Sequence, residues 1–88
     1  MAKSIVVTGG TKGIGRAIIQ KFAKEGFDVF TCSRNDDDLQ KLKMDFELEF
    51  PERKLFTMKA DLSQKDQVDH FAQMIKRYGI PDVIVNNT

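Results

Sequence analysis

From Ile5 to Asn87, short runs rich in valine and isoleucine alternate with longer stretches in which apolar residues return every third or fourth position. The short runs read as strands covered on both faces, and the longer stretches as amphipathic helices. The predicted strands are Ser4–Val7, Asp28–Ser33, Lys54–Ala60 and Asp82–Val85. A first helix is predicted over Gly13–Glu25, with Ile14, Ala17, Ile18, Phe22 and Ala23 as its apolar stripe and Gly26 as a left-handed stop. A second begins at Asn35, whose side chain can cap it, buries Leu39, Leu42, Phe46 and Phe50, and ends at Pro51. The third opens on Ser63 with Asp66 three residues later, the pattern of a capping box, and turns Val68, Phe71, Ala72, Ile75 and Tyr78 inward.

This alternation, with no linker and no low-complexity segment, predicts a single α/β domain over residues 1–88. Crossovers between parallel strands are right-handed, so the second and third strands step outward from the first, and the fourth returns past it. The expected architecture is a Rossmann-type doubly wound parallel sheet of order 3-2-1-4 with three helices. It is incomplete, because the apolar fourth strand has nothing beyond it to pair with. The reversal of direction puts a crevice at the C-terminal ends of strands one and four, where open α/β sheets take their ligands.

Composition narrows the function classes. With 14 basic and 13 acidic residues there is no charge excess to attract nucleic acid or an anionic membrane surface. The apolar runs are too short to cross a bilayer and the N-terminus lacks the apolar core of a secretory signal, so a cytoplasmic location is expected. Cys32 is the only cysteine and is predicted to be a packing residue, since it ends an apolar run and has no disulfide partner. His70, also alone, is expected on an exposed helix face. Asp36, Asp37 and Asp38 resemble a metal cluster at first sight, but consecutive helix positions splay about 100° apart, and the first turn of a helix favours negative charge. They are read as dipole-compensating residues.

The octet TGGTKGIG, Thr8 to Gly15, stands where the first strand hands over to the first helix. Gly9 allows a sharp turn, Gly13 a close approach of a phosphate, and Gly15 close packing of the new helix, whose first amides face outward unpaired. The spacing TGxxxGxG differs from the general GxGxxG fingerprint, and its context between strand and helix is what gives it weight. A dinucleotide is the natural occupant. Its identity should be set at the end of the second strand, where an acidic side chain would hold a free ribose. Here the residues are Ser33, Arg34 and Asn35. A guanidinium can form two charge-assisted hydrogen bonds to a 2′-phosphate, and Lys12 can approach the same phosphate from the glycine loop. The pair favours NADP over NAD.

TGGTKGIG, Ser33 with Arg34, Asp61 with Leu62, and Asn86 with Asn87 together resemble the short-chain dehydrogenase/reductase family, over essentially the whole chain. The resemblance implies a cofactor-binding role for Gly9, Thr11, Lys12, Gly13, Ile14 and Gly15, and for Ser33, Arg34 and Asn35 beside the adenosine. It implies adenine contacts at Asp61 and Leu62, and a place for Asn87 bordering the cofactor ribose. Thr88 departs from the family's alanine in the motif NNAG. The family transfers hydride between nicotinamide and a carbonyl or alcohol carbon, using a tyrosine, a lysine four residues later, and a serine. Tyr78 is followed four residues on by Asp82, so it receives no catalytic role.

These 88 residues are therefore expected to be the N-terminal, NADP-binding part of a longer reductase acting on a small carbonyl or alcohol substrate. The resemblance implies a homo-oligomer, dimeric or tetrameric, for the complete protein. The alternative is a non-catalytic dinucleotide-binding or assembly module, its open fourth strand completed by a partner chain.

Overall fold

A computed structural model describes residues 2–87. β1 (Ser4–Thr8), α1 (Gly13–Lys24), β2 (Asp28–Ser33), α2 (Asp36–Glu49), β3 (Leu55–Lys59), α3 (Lys65–Lys76) and β4 (Val83–Val85) follow one another in the expected alternation. The strands form one parallel sheet of order β3-β2-β1-β4. Strand ends differ from the sequence reading by a residue or so, as hydrogen-bonded boundaries commonly do.

The sheet carries a separate core on each face. Ile5, Val7 and Val29 meet Ile19 and Ala23 of α1 and Leu42 and Phe46 of α2 on one side. On the other, Val6, Phe30 and Cys32 pack with Ala60 and with Phe71 of α3. Alternate residues of β1 thus serve opposite layers, which is why the strand is apolar at consecutive positions. Thr31, fully buried among these, donates its hydroxyl to the Val7 carbonyl at 2.6 Å.

Three expectations need correction. The buried face of α1 is Gly15, Ile19 and Ala23, with Ile18 and Phe22 partly covered, whereas Ala17 is exposed and Ile14 is 72% exposed. The buried line runs at four-residue spacing through Gly15, Ile19 and Ala23, where Gly15 meets the glycine loop and Ile19 and Ala23 meet the sheet, and Ile19 was missing from the predicted stripe. The Ser63–Asp66 capping box does not form. Gln64 is the N-cap residue, without a side-chain bond, and Ser63 instead donates to Asp61. Tyr78 lies beyond the end of α3 and is 57% exposed, with its ring 4.2 Å from Phe56. On α3 only Phe71 is fully buried; the expected Ile75 packs beside it together with Met74, which the pattern did not single out, whereas Val68, expected inside, is exposed.

Candidate functional site

The loop after β1 is fixed to the sheet from two directions. Gly9 adopts φ +63°, a turn that side chains with a Cβ resist, and donates its N–H to the Cys32 carbonyl at 3.2 Å. Gly10 donates to the Thr31 hydroxyl at 3.2 Å, and a Cβ on it would lie 2.3 Å from Ile19 Cδ1. From the other side, Thr8 Oγ1 donates to Asn86 Oδ1 at 3.1 Å and accepts the Asn87 N–H at 2.8 Å. A Cβ on Gly15 would fall 2.6 Å from both the Asn87 side chain and the Gly9 carbonyl. The closeness that Gly15 permits is therefore to the loop and to the residues after β4.

The two helices that begin beside this loop have opposite electrostatics. Asn35 caps α2, accepting the Asp38 N–H at 3.2 Å, and Asp36, Asp37 and Asp38 occupy its first turn. The Lys12 N-cap of α1 makes no side-chain capping bond, and that helix has no acidic residue in its first turn. Its positive end is left uncompensated by the protein, as anion-binding helices are. A Cβ on Gly13 would meet nothing within 4 Å, so the space in front of this turn is open.

Two adjoining clefts share Ser33 and Arg34. One, of about 560 Å³, runs from Thr8 and Gly9 past Cys32 to Asp61, Leu62 and Asn87. The other, of about 780 Å³, gathers Thr11, Lys12 and Asn35 around the first turn of α2 and reaches Lys59. Lys12 Nζ stands 3.4 Å from Asp38 Oδ2.

Asp61 is organised by its own neighbours. Its Oδ1 accepts the Ser63 hydroxyl at 2.7 Å and the Ser63 N–H at 3.0 Å, and its own N–H reaches Gln67 Oε1 at 2.5 Å. The two Ser63 bonds lower its pKa, aided by the charge of Arg34. The second carboxylate oxygen makes neither Ser63 bond. Burial pushes the Cys32 thiol up, against an opposing hydrogen bond from the Gly9 backbone. This is a packed cysteine, as its sequence position implied.

Gly9, Ser33, Arg34, Asp61, Leu62 and Asn87 thus converge on one cleft, and Thr11, Lys12 and Asn35 on its neighbour. Gly13, Ile14 and Gly15 line neither and form the first turn of α1. The Thr88 departure lies outside the described residues. Sequence reasoning missed Gly10, Thr31 and Lys59. Gly10 could have been found as the residue that must pass beneath the new helix, whereas Lys59 depends on strand register. Among the described residues no group of His, Cys, Asp or Glu could hold a metal ion, and His70 is exposed. Tyr78 lines a separate cleft with Lys3 and Asp28, at the N-terminal edge of the sheet.

Residues 3–88 match the short chain dehydrogenase family. The NADPH-dependent pterin aldehyde reductase of Arabidopsis thaliana is 34% identical over 98% of this chain, which covers 35% of that protein. The L-sorbose reductase of Gluconobacter frateurii, solved with NADPH and L-sorbose, superposes with a TM-score of 0.92 at 30% identity, over 99% of this chain and 33% of that one. YwfH, an NADPH dependent reductase involved in bacilysin biosynthesis, gives a TM-score of 0.93 at 30% identity, over 100% of this chain and 35% of its own. The chain spans about a third of the length of these relatives. A glycine loop packed under α1, a sheet of order β3-β2-β1-β4 and a family match over nearly every residue have one common explanation: the chain belongs to the short-chain dehydrogenase family.

Proposed function

We propose that these residues bind NADP(H) in an oxidoreductase whose complete chain transfers hydride between the nicotinamide ring and a carbonyl or alcohol carbon of a small substrate. The single observation that carries this reading is the uncapped, acid-free start of α1, opening beside a cleft that holds both Lys12 and Arg34. Its amides, from Thr11 through Gly13, Ile14 and Gly15, suit a pyrophosphate turned in by Gly9. Ser33, Arg34 and Asn35 suit the adenosine ribose and its 2′-phosphate, with Lys12 approaching from the loop. The free carboxylate oxygen of Asp61 can accept from the adenine amino group, Leu62 can flank the ring, and Asn87 can border the second ribose. The nicotinamide, when bound, supplies or takes the hydride. No residue of this chain receives a proton-transfer step.

The pterin aldehyde reductase and YwfH are NADPH-dependent and the L-sorbose reductase was solved with NADPH, which supports NADP as the coenzyme here. A near balance of 14 basic and 13 acidic residues supports the absence of a nucleic-acid or membrane partner. No helix of the described residues is long and apolar enough to cross a membrane. A cytoplasmic homo-oligomer is the reading for the complete protein.

Fluorescence titration with NADPH and NADH tests the cofactor. Tighter NADPH binding that Arg34→Asp abolishes is expected, and equal or tighter NADH binding by the unaltered chain defeats the reading. A second reading has its own observation. Among the described residues β4 pairs only with β1, and Ile84 is 68% exposed, which favours a module completed by a partner chain. A stable soluble monomer in a solution mass measurement speaks against it.

A further inference from the structure

Lys59 ends β3 opposite Ser33, in the parallel register that pairs Val29 with Leu55 and Thr31 with Thr57. Side chains alternate along a strand. Val29 and Leu55 turn toward the core beneath α1 and α2, whereas Phe30, Cys32, Phe56 and Met58 turn toward α3. Ser33 and Lys59 therefore leave the sheet on the α1/α2 side, at the edge where both of those helices begin. Lys59 thereby joins Lys12 and Arg34 among the residues that line one cleft.

The three cations there are not equivalent. Among the described residues the ion pairs are Lys12 with Asp38 and Arg16 with Asp45, so Arg34 and Lys59 belong to neither. The acidic turn of α2 does not account for Lys59, because Asp36, Asp37 and Asp38 already sit at the helix end that stabilises negative charge. A doubly charged anion entering this cleft meets the carboxylates at the start of α2 on one side, with Lys12 paired to Asp38, and on the other Arg34 and Lys59, which stand in neither ion pair.

We infer that Lys59 is a specificity-determining residue for the coenzyme, facing the 2′-phosphate together with Arg34. This inference rests on the NADP reading given above. Arg34 supplies paired, directional hydrogen bonds, and Lys59 supplies a point charge from the neighbouring strand.

The test measures affinity of the full chain for NADPH, NADH, 2′,5′-ADP and 5′-AMP, at low and at physiological salt. Lys59→Gln should weaken NADPH and 2′,5′-ADP by about fivefold, as expected for a solvent-screened charge pair. NADH and 5′-AMP should be unchanged, the salt dependence of NADPH binding should fall, and Lys59→Arg should restore it. Lys54→Gln, the same charge change just before the start of β3, should leave the ratio intact. An unaltered chain that does not distinguish 2′,5′-ADP from 5′-AMP overturns the NADP reading itself. An unaltered chain that distinguishes them, with Lys59→Gln keeping that ratio or weakening all four ligands alike, overturns the role of Lys59 alone.

Discussion

The hydroxyl of Thr8 accepts the backbone N–H of Asn87 at 2.8 Å, closing a contact between positions 79 residues apart. The same hydroxyl donates to Asn86 Oδ1, so one small side chain at the end of β1 holds the turn after β4. Asn87 Nδ2 adds a longer bond to the Gly9 carbonyl at 3.4 Å. The cleft in front of the glycine loop keeps its shape because this strand end is held by side chains where the ladder has stopped.

Replacing Thr8 with Val keeps the volume but removes both bonds, leaving a partly buried N–H without its acceptor. We expect a loss of about 1–2 kcal/mol in denaturant unfolding, with faster amide exchange at Asn87. Thr8→Ser retains the hydroxyl and should recover most of the loss. Equal stability of the Val and Ser variants would count against the hydroxyl's bracing role.

Gly10 carries no left-handed backbone, yet a Cβ there would sit 2.3 Å from Ile19 Cδ1 and 2.5 Å from Thr31 Oγ1. Both neighbours are fully buried and cannot retreat into solvent. Gly10→Ala should cost about 1–3 kcal/mol, the range for overpacking a filled core, and should weaken coenzyme binding by displacing the start of α1. Pairing it with Ile19→Val, which shortens the facing side chain, should recover part of the stability. A thermal melt of Gly10→Ala that matches the parent protein would contradict this packing.

How far the sequence reveals this architecture depends on the range of each interaction. The glycine octet was legible because strand, turn and helix start are contiguous, and strand order followed because crossover handedness leaves few choices. The rotation of α1 was not. Ile14, Ala17, Ile18, Ile19 and Phe22 offer more than one stripe, and contact of Gly15 with the loop together with packing of Ile19 on Ile5, Val7 and Val29 accompanies the inward face, with Ile14 left outside. Ser63 could cap α3 or bond Asp61, and these local alternatives differ by little energy, so the pattern alone did not decide between them. Lys59 was invisible because its place beside Arg34 comes from pairing between strands far apart in sequence.

Asp61 should titrate below an ordinary aspartate, chiefly because the Ser63 hydroxyl and then the Ser63 N–H bond its ionised form, with Arg34 assisting. Its folded pKa is depressed, so the associated stability is fully present above the unfolded carboxylate value and is lost as pH falls through the folded one. Carboxyl-carbon NMR should show this low midpoint. Ser63→Ala should move it upward by more than Arg34→Gln does. A midpoint in the ordinary aspartate range for the unaltered chain would mean that the Ser63 bonds do not persist in solution.

Cys32 provides a chemical readout of the same region. Its side chain is 2% exposed, and burial raises its pKa despite the Gly9 backbone bond. At pH 8 a thiol-specific reagent should label the native protein far more slowly than the denatured chain, because both access and thiolate fraction are reduced. The sign with pH follows from the raised value. Once pH climbs past the pKa of the unfolded thiol, the unfolded chain releases a proton that the folded one keeps, so stability declines toward alkaline pH. Labelling should track opening of the β2 end, and NADPH should slow it if the coenzyme covers Gly9 and Ser33 as proposed. Native labelling as fast as that of the unfolded chain would show that the cleft floor is open, and would remove the rigid base on which the glycine loop rests.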